Sequence, residues 1–343
     1  MGTERSAAGA SPMRDILDLA MAFQRSRVLL TASELDLFSV LGAERRSAAE
    51  VARSIGADPR ATDRLMHALC ALGLLEKQGE RFANTAAAAR FLVRGAPEYM
   101  GGLGHAAHLW DSWGTLTPAV RRGGSVLAAT VGERGEAWLT AFIAAMHWRG
   151  QQHARGIVGR LELSGVSRVL DVGGGSGVYA MAFARAKAGL SAVVLDLPQV
   201  IPLTQRYIRA EGLGERVGTV AGDYLAGELG EGYDLVFLSA IIHSNSPEEN
   251  RALIRKGAAA LNPAGQLVVQ DFIVDEDRTG PPFAVLFALN MLVGTAAGDT
   301  YTESDVRGWM MAAGLSQVAR TDTEVGTALI VGRREPGLFT KYT

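Results

Sequence analysis

The most constraining stretch of the chain is Val169-Leu170-Asp171-Val172-Gly173-Gly174-Gly175-Ser176-Gly177. An apolar, β-branched run leads straight into a turn that is almost all glycine. It reads as a buried strand that turns sharply into a helix, because glycine lets the backbone double back and lets a ligand approach it closely. The same stretch opens a pattern. From about residue 160, strand-like runs alternate with helical ones: SRVLDVGG, then a helix over 177–188; SAVVLDL, then a helix over 198–211; RVGTVAGD; YDLVFLSAII, then a helix over 247–261; GQLVVQDFI; and finally ALIVGRR. Such alternation predicts an α/β, Rossmann-like domain, a mostly parallel doubly wound sheet with helices on both faces. An apolar helix, PFAVLFALNMLVGT, and a helix opened by Thr302-Glu303-Ser304-Asp305 interrupt the pattern in the last third.

A chain of 343 residues has room for a second domain. Residues 13–30 and 34–41 carry apolar residues at helical spacing. Ser47 and Glu50 form a capping-box pattern for SAAEVARSI, which ends at Gly56. Asp58 and Pro59 open the next helix, which runs through Leu72, and LLEKQGERFANT reads as two short strands around Gln78-Gly79. Helix, turn, helix, hairpin is the order of a winged helix. The expected organisation is a disordered tail over 1–12, a mainly helical winged-helix domain over 13–100, a helical connector over 101–160, and the α/β domain over 161–343.

A winged helix can bind DNA, and Arg60, Arg64 and His67 on its second helix would serve that role. Asp58, Asp63 and the apolar remainder of that helix oppose it. So does the balance of 34 Lys and Arg against 36 Asp and Glu, a net charge of −2. A dimerisation scaffold is the preferred reading, with neither nucleic acid nor membrane as partner. With 48% hydrophobic and 20% charged residues the chain is globular rather than disordered. The single cysteine, Cys70, excludes an intramolecular disulfide and reads as a small buried hydrophobe. Neither a run of eighteen apolar residues nor a leader-like stretch is found, which points to the cytoplasm. Residues 97–160 are rich in His and Trp (His105, His108, Trp110, Trp113, Trp138, His147, Trp148, His153). They lack acids or cysteine at ligand spacing, so packing or a pocket wall is expected there and no metal.

Three carboxylates narrow the ligand of the glycine loop. Asp171 ends the first strand beside the loop, where a carboxylate suits an ammonium or sulfonium better than a pyrophosphate. Asp196 ends the next strand, about twenty residues on, where an acid can accept both ribose hydroxyls. Gly222-Asp223-Tyr224 sets another acid at a strand end, placed to hold an adenine amine while Tyr224 packs on the ring. Val178 stands where a dinucleotide fingerprint needs its third small residue, which argues against a nicotinamide oxidoreductase. An adenosine with a positive charge and no phosphate is S-adenosylmethionine.

The series VLDVGGGSG, LDLPQV, AGDYL and LSAIIHSNSPEE closely resembles the S-adenosylmethionine-dependent O-methyltransferases of the plant caffeic acid and bacterial natural-product type. The resemblance covers nearly the whole chain. It implies an N-terminal winged-helix dimerisation domain, a homodimer, and a C-terminal Rossmann-like catalytic domain. It puts Gly173 and Gly175 at the cofactor backbone, Asp196 at the ribose, and Asp223 and Tyr224 at the adenine. Ser239 falls where plant members often carry a lysine near the cofactor. His243 matches the general base that takes the proton from an acceptor hydroxyl, and histidine suits that task near neutral pH. Asp271 matches a glutamate that orients the base. Phe142, Met146 and Met291 match residues that line the plant acceptor pocket.

The chain also departs from the plant pattern. It reads His243-Ser244-Asn245 where members commonly read His-Asp-Trp, and Thr300 stands in place of a second glutamate, with Asp299 and Glu303 nearby. The implied reaction is methylation of a hydroxyl on a small aromatic or polyketide-like molecule. A C- or N-methyltransferase, or a repurposed relative on the same scaffold, is the alternative, and a winged-helix DNA-binding regulator stands behind both.

Overall fold

The computed structural model describes residues 11–127 and 135–336. The tail expected over 1–12 lies outside the described residues except for Ser11 and Pro12, and Pro12 already belongs to a helix. The chain divides into two compact units between Ala107 and His108. Most of the segment expected to be a connector therefore belongs with the α/β unit.

The first unit holds α1 (Pro12–Glu34), α2 (Leu37–Leu41), β1 (Arg46–Ser47), α3 (Ala48–Ile55), α4 (Pro59–Ala71), β2 (Leu75–Gln78), β3 (Arg81–Asn84) and α5 (Ala86–Phe91). The strands form an antiparallel sheet in the order β1-β3-β2, the wing of a winged helix. Local signals decide the boundaries. Ser47 and Glu50 complete both halves of a capping box on α3, and Gly56 ends it in the left-handed conformation. Asp58 accepts the Ala61 N–H at 2.8 Å to start α4. Between α1 and α2, Asp36 takes a positive φ of 53°, which breaks what the apolar spacing joins over 34–41. Phe38, Leu41, Val51, Met66, Leu69 and Phe82 form the core, and a half-buried Cys70 packs against it. Burial pushes the Cys70 thiol above its ordinary pKa, as a small core residue requires.

Into the second unit run α6 (Leu103–Gly114), α7 (Leu116–Arg122) and α8 (Glu136–Val158). Then come β4 (Arg168–Val172), α9 (Val178–Ala186), β5 (Ser191–Asp196), α10 (Ile201–Ala210), β6 (Val217–Ala221), β7 (Tyr233–Ser239), α11 (Pro247–Ala260) and β8 (Leu261–Asp271). The end of the chain adds β9 (Ile273–Val274), α12 (Pro282–Gly294), β10 (Tyr301–Thr302), α13 (Glu303–Ala312), β11 (Leu315–Asp322) and β12 (Ala328–Arg334). Seven strands form one sheet in the order β11-β12-β8-β7-β4-β5-β6. Strands β4 to β8 run parallel, and β12 joins β8 antiparallel. The strand order reverses between β4 and β7. That reversal opens a crevice at the carboxyl ends of both strands.

Helices cover both faces. On one, Phe237 and Val268 pack with Ala180, Phe183 and Ile208; on the other, Val236 and Leu238 pack with Leu253, Ile254 and Trp309. Among the described residues no helix is long and apolar enough to cross a membrane. Phe237 is fully buried mid-sheet, with rings of Tyr179 and Phe183 at 5.1 and 5.3 Å. Truncating it leaves a cavity between sheet and helix. Phe237→Ala is therefore expected to destabilise the protein by about 3–5 kcal/mol, measured by urea denaturation.

Candidate active site

The glycine loop between β4 and α9 is a backbone device. Gly173, Gly175 and Gly177 all take positive φ, at 62°, 56° and 76°. A Cβ on Gly173 would run into the Ile241 side chain and lie 3.7 Å from the Tyr224 ring. A Cβ on Gly174 would meet the Asp171 carboxylate at 2.6 Å. The loop thus lies directly over Asp171 and is closed from the far side by the segment that carries His243.

Helix α8 holds the loop from outside with one stripe of residues. Ile143 approaches Gly175, the His147 Nδ1 lies 2.9 Å from the Ser176 hydroxyl, and Gly150 leaves room for Val178. His147 also stacks on Tyr207 at 4.0 Å, and burial lowers its pKa. Of the histidines flagged in the sequence, His147 is the one this contact ties to the loop. The histidine density marked its segment; its partner Ser176 lies too far along the chain to be read from it. Among the described residues no group of His, Cys, Asp or Glu is placed to hold a metal.

Of the three carboxylates singled out in the sequence, Asp171 and Asp196 are buried at this edge of the sheet. Asp196 accepts the Gly175 N–H and the Leu197 N–H, both at 2.7 Å. Each oxygen keeps a lone pair for a further donor. Asp171 is fully buried; its Oδ2 accepts the Ala180 N–H at 3.1 Å, and its Oδ1 has no hydrogen-bond partner. Burial, with Asp196 nearby, pushes the Asp171 carboxyl up to about 7. Burial also raises Asp196. The geometry places Asp171 directly beneath the loop. Asp223 is exposed and accepts the Leu225 N–H at 2.8 Å, while the half-buried Tyr224 donates its hydroxyl to Asn245 Oδ1 at 3.1 Å. Ser239 turns its hydroxyl to Gln270 on the adjacent strand, so its bond is made within the sheet.

His243 lies in a single 3₁₀ turn, Ile242–Ser244, just beyond β7. Its Nδ1 is 2.7 Å from Asp271 Oδ1. Asp271, at the end of β8, is fully buried and also accepts the Phe272 N–H at 2.8 Å. A carboxylate on Nδ1 assigns the neutral ring's proton there, by the logic of the hydrogen-bond network, and makes Nε2 the accepting nitrogen. Asp299 and Glu303, the acids near Thr300, are each paired with arginine. Asp299 faces Arg278 at 3.6 Å, and Glu303 pairs with Arg307 at 2.6 Å and Arg320 at 3.6 Å.

The three residues matched to an acceptor pocket lie on two helices. Phe142 stacks on Trp138 and packs with Leu197 and Val200, on the Asp196 side of the site. Met146 is half-buried one turn further along α8. Only Met291 shares an element with residues that touch His243. On that helix, α12, Phe287 meets the imidazole edge-on at 4.9 Å, and Phe272, Phe283 and Phe287 form an aromatic cluster with neighbouring ring centroids 4.8–5.9 Å apart. The i, i+4, i+8 spacing of Phe283, Phe287 and Met291 was the signal that could have found this wall.

An O-methyltransferase domain matches residues 117–316, and an O-methyltransferase dimerisation domain matches residues 17–94. This chain belongs to the O-methyltransferase family. It is 35% identical to 3-hydroxy-5-methyl-1-naphthoate 3-O-methyltransferase of Streptomyces sahachiroi, over 88% of this chain and 89% of that one. It is 32% identical to the N,N-dimethyltransferase OxyT of Streptomyces rimosus, over 93% and 95%. Human N-acetylserotonin methyltransferase, solved in complex with S-adenosylmethionine, superposes with a TM-score of 0.85 at 25% identity, covering 98% of this chain and all of that one.

As a member of that family the protein is an S-adenosylmethionine-dependent O-methyltransferase. The residues present fit that cofactor. Asp196, buried at the strand end beside the glycine loop, keeps acceptor capacity on both oxygens for a pair of hydroxyls, and Asp171 beneath the loop has an orphaned oxygen.

Two outcomes follow. Gly173→Ala strains the backbone and pushes on Ile241, so calorimetry should show weakened S-adenosylhomocysteine binding. Asp171 keeps its proton when folded but not when unfolded between its ordinary 3.8 and about 7. The folded state binds more protons in that window, so stability falls as pH rises through it. Asp171→Asn lacks this decline. The melting temperature of the variant relative to wild type, measured without ligand, should climb from pH 4 to pH 7 and then level off.

Proposed function

We propose that the enzyme methylates a hydroxyl on a small, flat, aromatic or polyketide-like molecule, with His243 as general base. The observation that carries this reading is the buried His243–Asp271 pair, 2.7 Å apart, beside the glycine loop and walled by Phe287. Bound S-adenosylmethionine supplies an activated methyl group on a sulfonium. The protein's residues supply the rest. His243 takes the hydroxyl proton on Nε2, Asp271 fixes the tautomer and balances the imidazolium charge, and the Phe272–Phe283–Phe287 cluster keeps the site dry and grips a flat ring. In this reading Asp196 holds the ribose and Tyr224, with Asp223, borders the adenine. The naphthoate relative, whose acceptor has a hydroxyl on a fused aromatic ring, supports the substrate class.

The enzyme acts as a homodimer in this reading. The dimerisation-domain match supports it, as do the apolar side chains Ile16, Leu17 and Leu19 left exposed on α1.

Transfer to an amine is the second reading, favoured by the likeness to OxyT and by the single acid on His243. Incubation with a panel of naphthols, hydroxyquinones and aryl amines, read by product mass spectrometry and NMR, separates the two: a methoxy group supports the first and an N-methyl group the second. With the best hydroxyl acceptor, His243→Ala should lower kcat by about 10²–10⁴-fold with S-adenosylhomocysteine affinity unchanged. Asp271→Asn should lower kcat in the same direction. If the His243 variant keeps full activity, His243 is not the base.

A further inference from the structure

The 3₁₀ turn that carries His243 is held by a chain of buried amides. The Tyr224 hydroxyl donates to Asn245 Oδ1 at 3.1 Å. Asn245 Nδ2 donates to Asn250 Oδ1 at 3.1 Å, and Asn250 Nδ2 donates to the Ile242 carbonyl at 2.8 Å. Both asparagines are buried, at 2% and 0% exposure. The direction of this chain is not a free choice. The Ile242 carbonyl can only accept, so Asn250 must turn its NH₂ toward it and its oxygen toward Asn245. Asn245 must then present its NH₂ to Asn250 and its oxygen to Tyr224, which has to donate. One arrangement satisfies every group.

The turn is clasped elsewhere too. The Tyr301 hydroxyl donates to the Asn245 carbonyl at 2.5 Å, and the Asp299 N–H donates to the His243 carbonyl at 3.0 Å. Gly298 packs so closely on this turn that a Cβ would lie 3.2 Å from the Ser244 Cα. Of these ties, only the amide chain leads to the crevice, where the Tyr224 ring borders Gly173.

We propose that Asn245 is a positioning residue that couples occupation of the adenosine site to the placement of His243, through Tyr224 on one side and Asn250 on the other. The inference rests on the reading that Tyr224 borders the adenine. A ligand that seats the Tyr224 ring fixes its hydroxyl. That hydroxyl holds the Asn245 amide, and the amide holds the turn from which the imidazole projects. Tyr224 is suited to the task because burial raises its pKa and keeps it a donor.

The test uses the full-length protein with isotope-labelled histidine and needs no acceptor. Adenosine is the probe, because it lacks the thioether end that would lie toward the transferred methyl. The imidazole resonances are followed by NMR, and the His243 signal is assigned by its loss in His243→Gln. In wild type, adenosine should shift the His243 signal. In Tyr224→Phe, which keeps the ring and removes only the hydroxyl, adenosine should still bind, with affinity changed by less than about fivefold, while the His243 shift is largely lost. Asn245→Ala should do the same, and the double variant should lose no more than Asn245→Ala alone.

A His243 shift of wild-type size in saturated Tyr224→Phe and Asn245→Ala overturns the coupling and leaves the cofactor placement standing. Adenosine affinity unchanged in Tyr224→Ala, which removes the ring, overturns the placement of the adenine and the coupling with it. Tyr224→Phe leaves every buried amide in place, so the proposal stays testable even where Asn245→Ala does not fold.

Discussion

Strands β4 and β7 lie side by side and parallel, with Val172 opposite Leu238, and both end on the same edge of the sheet. Everything chemical in the second unit hangs on that register. The glycine loop springs from one strand end and the His243 turn from the other, and Ile241 closes the gap against Gly173. A slip of one residue would turn each strand's buried set to the opposite face and carry the loop away from the imidazole. The reversal of strand order is what lets two neighbouring ends diverge and leave a crevice between them.

Three buried carboxylates at this edge fall into two kinds. Asp196 and Asp271 receive donors on both oxygens, whereas Asp171 receives one and keeps an orphaned oxygen. An uncompensated buried acid is costly, and such costs persist where a site is poised for an opposite charge. At His243 the arrangement is leaner than the plant pattern. One acid faces the imidazole, and the nearby Asp299 and Glu303 are engaged by arginines. Thr300, at the position of the second glutamate, is buried and gives its carbonyl to Arg278.

The features legible in the sequence were those that neighbours along the chain decide. Ser47 with Glu50 and Asp58 with Pro59 are local caps, and the glycine spacing needs only its own turn. The His243–Asp271 contact was implied by resemblance, since no spacing shows two strand ends meeting. Strand β11 went unread because Leu315–Asp322 is largely exposed and lacks a clear apolar alternation. The β9–β10 ladder joins two residues from each segment, too few to carry a period. Phe142 was placed on the acceptor side by resemblance alone, and its stacking on Trp138 joins side chains one turn apart on α8. On α12 the i, i+4, i+8 spacing of Phe283, Phe287 and Met291 names a stripe, but the helix is apolar nearly all round, so the spacing does not say which neighbour that stripe meets. The Tyr224–Asn245–Asn250 chain joins side chains from separate parts of the sequence, and asparagine carries no periodic signal.

The aromatic wall beside His243 comes from α12 and Phe272, while the glycine loop, Asp196 and the His243 turn come from earlier segments. From α12, Phe287 meets the His243 ring edge-on, and Phe283 packs behind it on Phe287 and Phe272. In the proposed reading, acceptor choice and the reacting groups are thus written in separable stretches of chain, and a library for altering acceptor preference should be confined to that one short helix first.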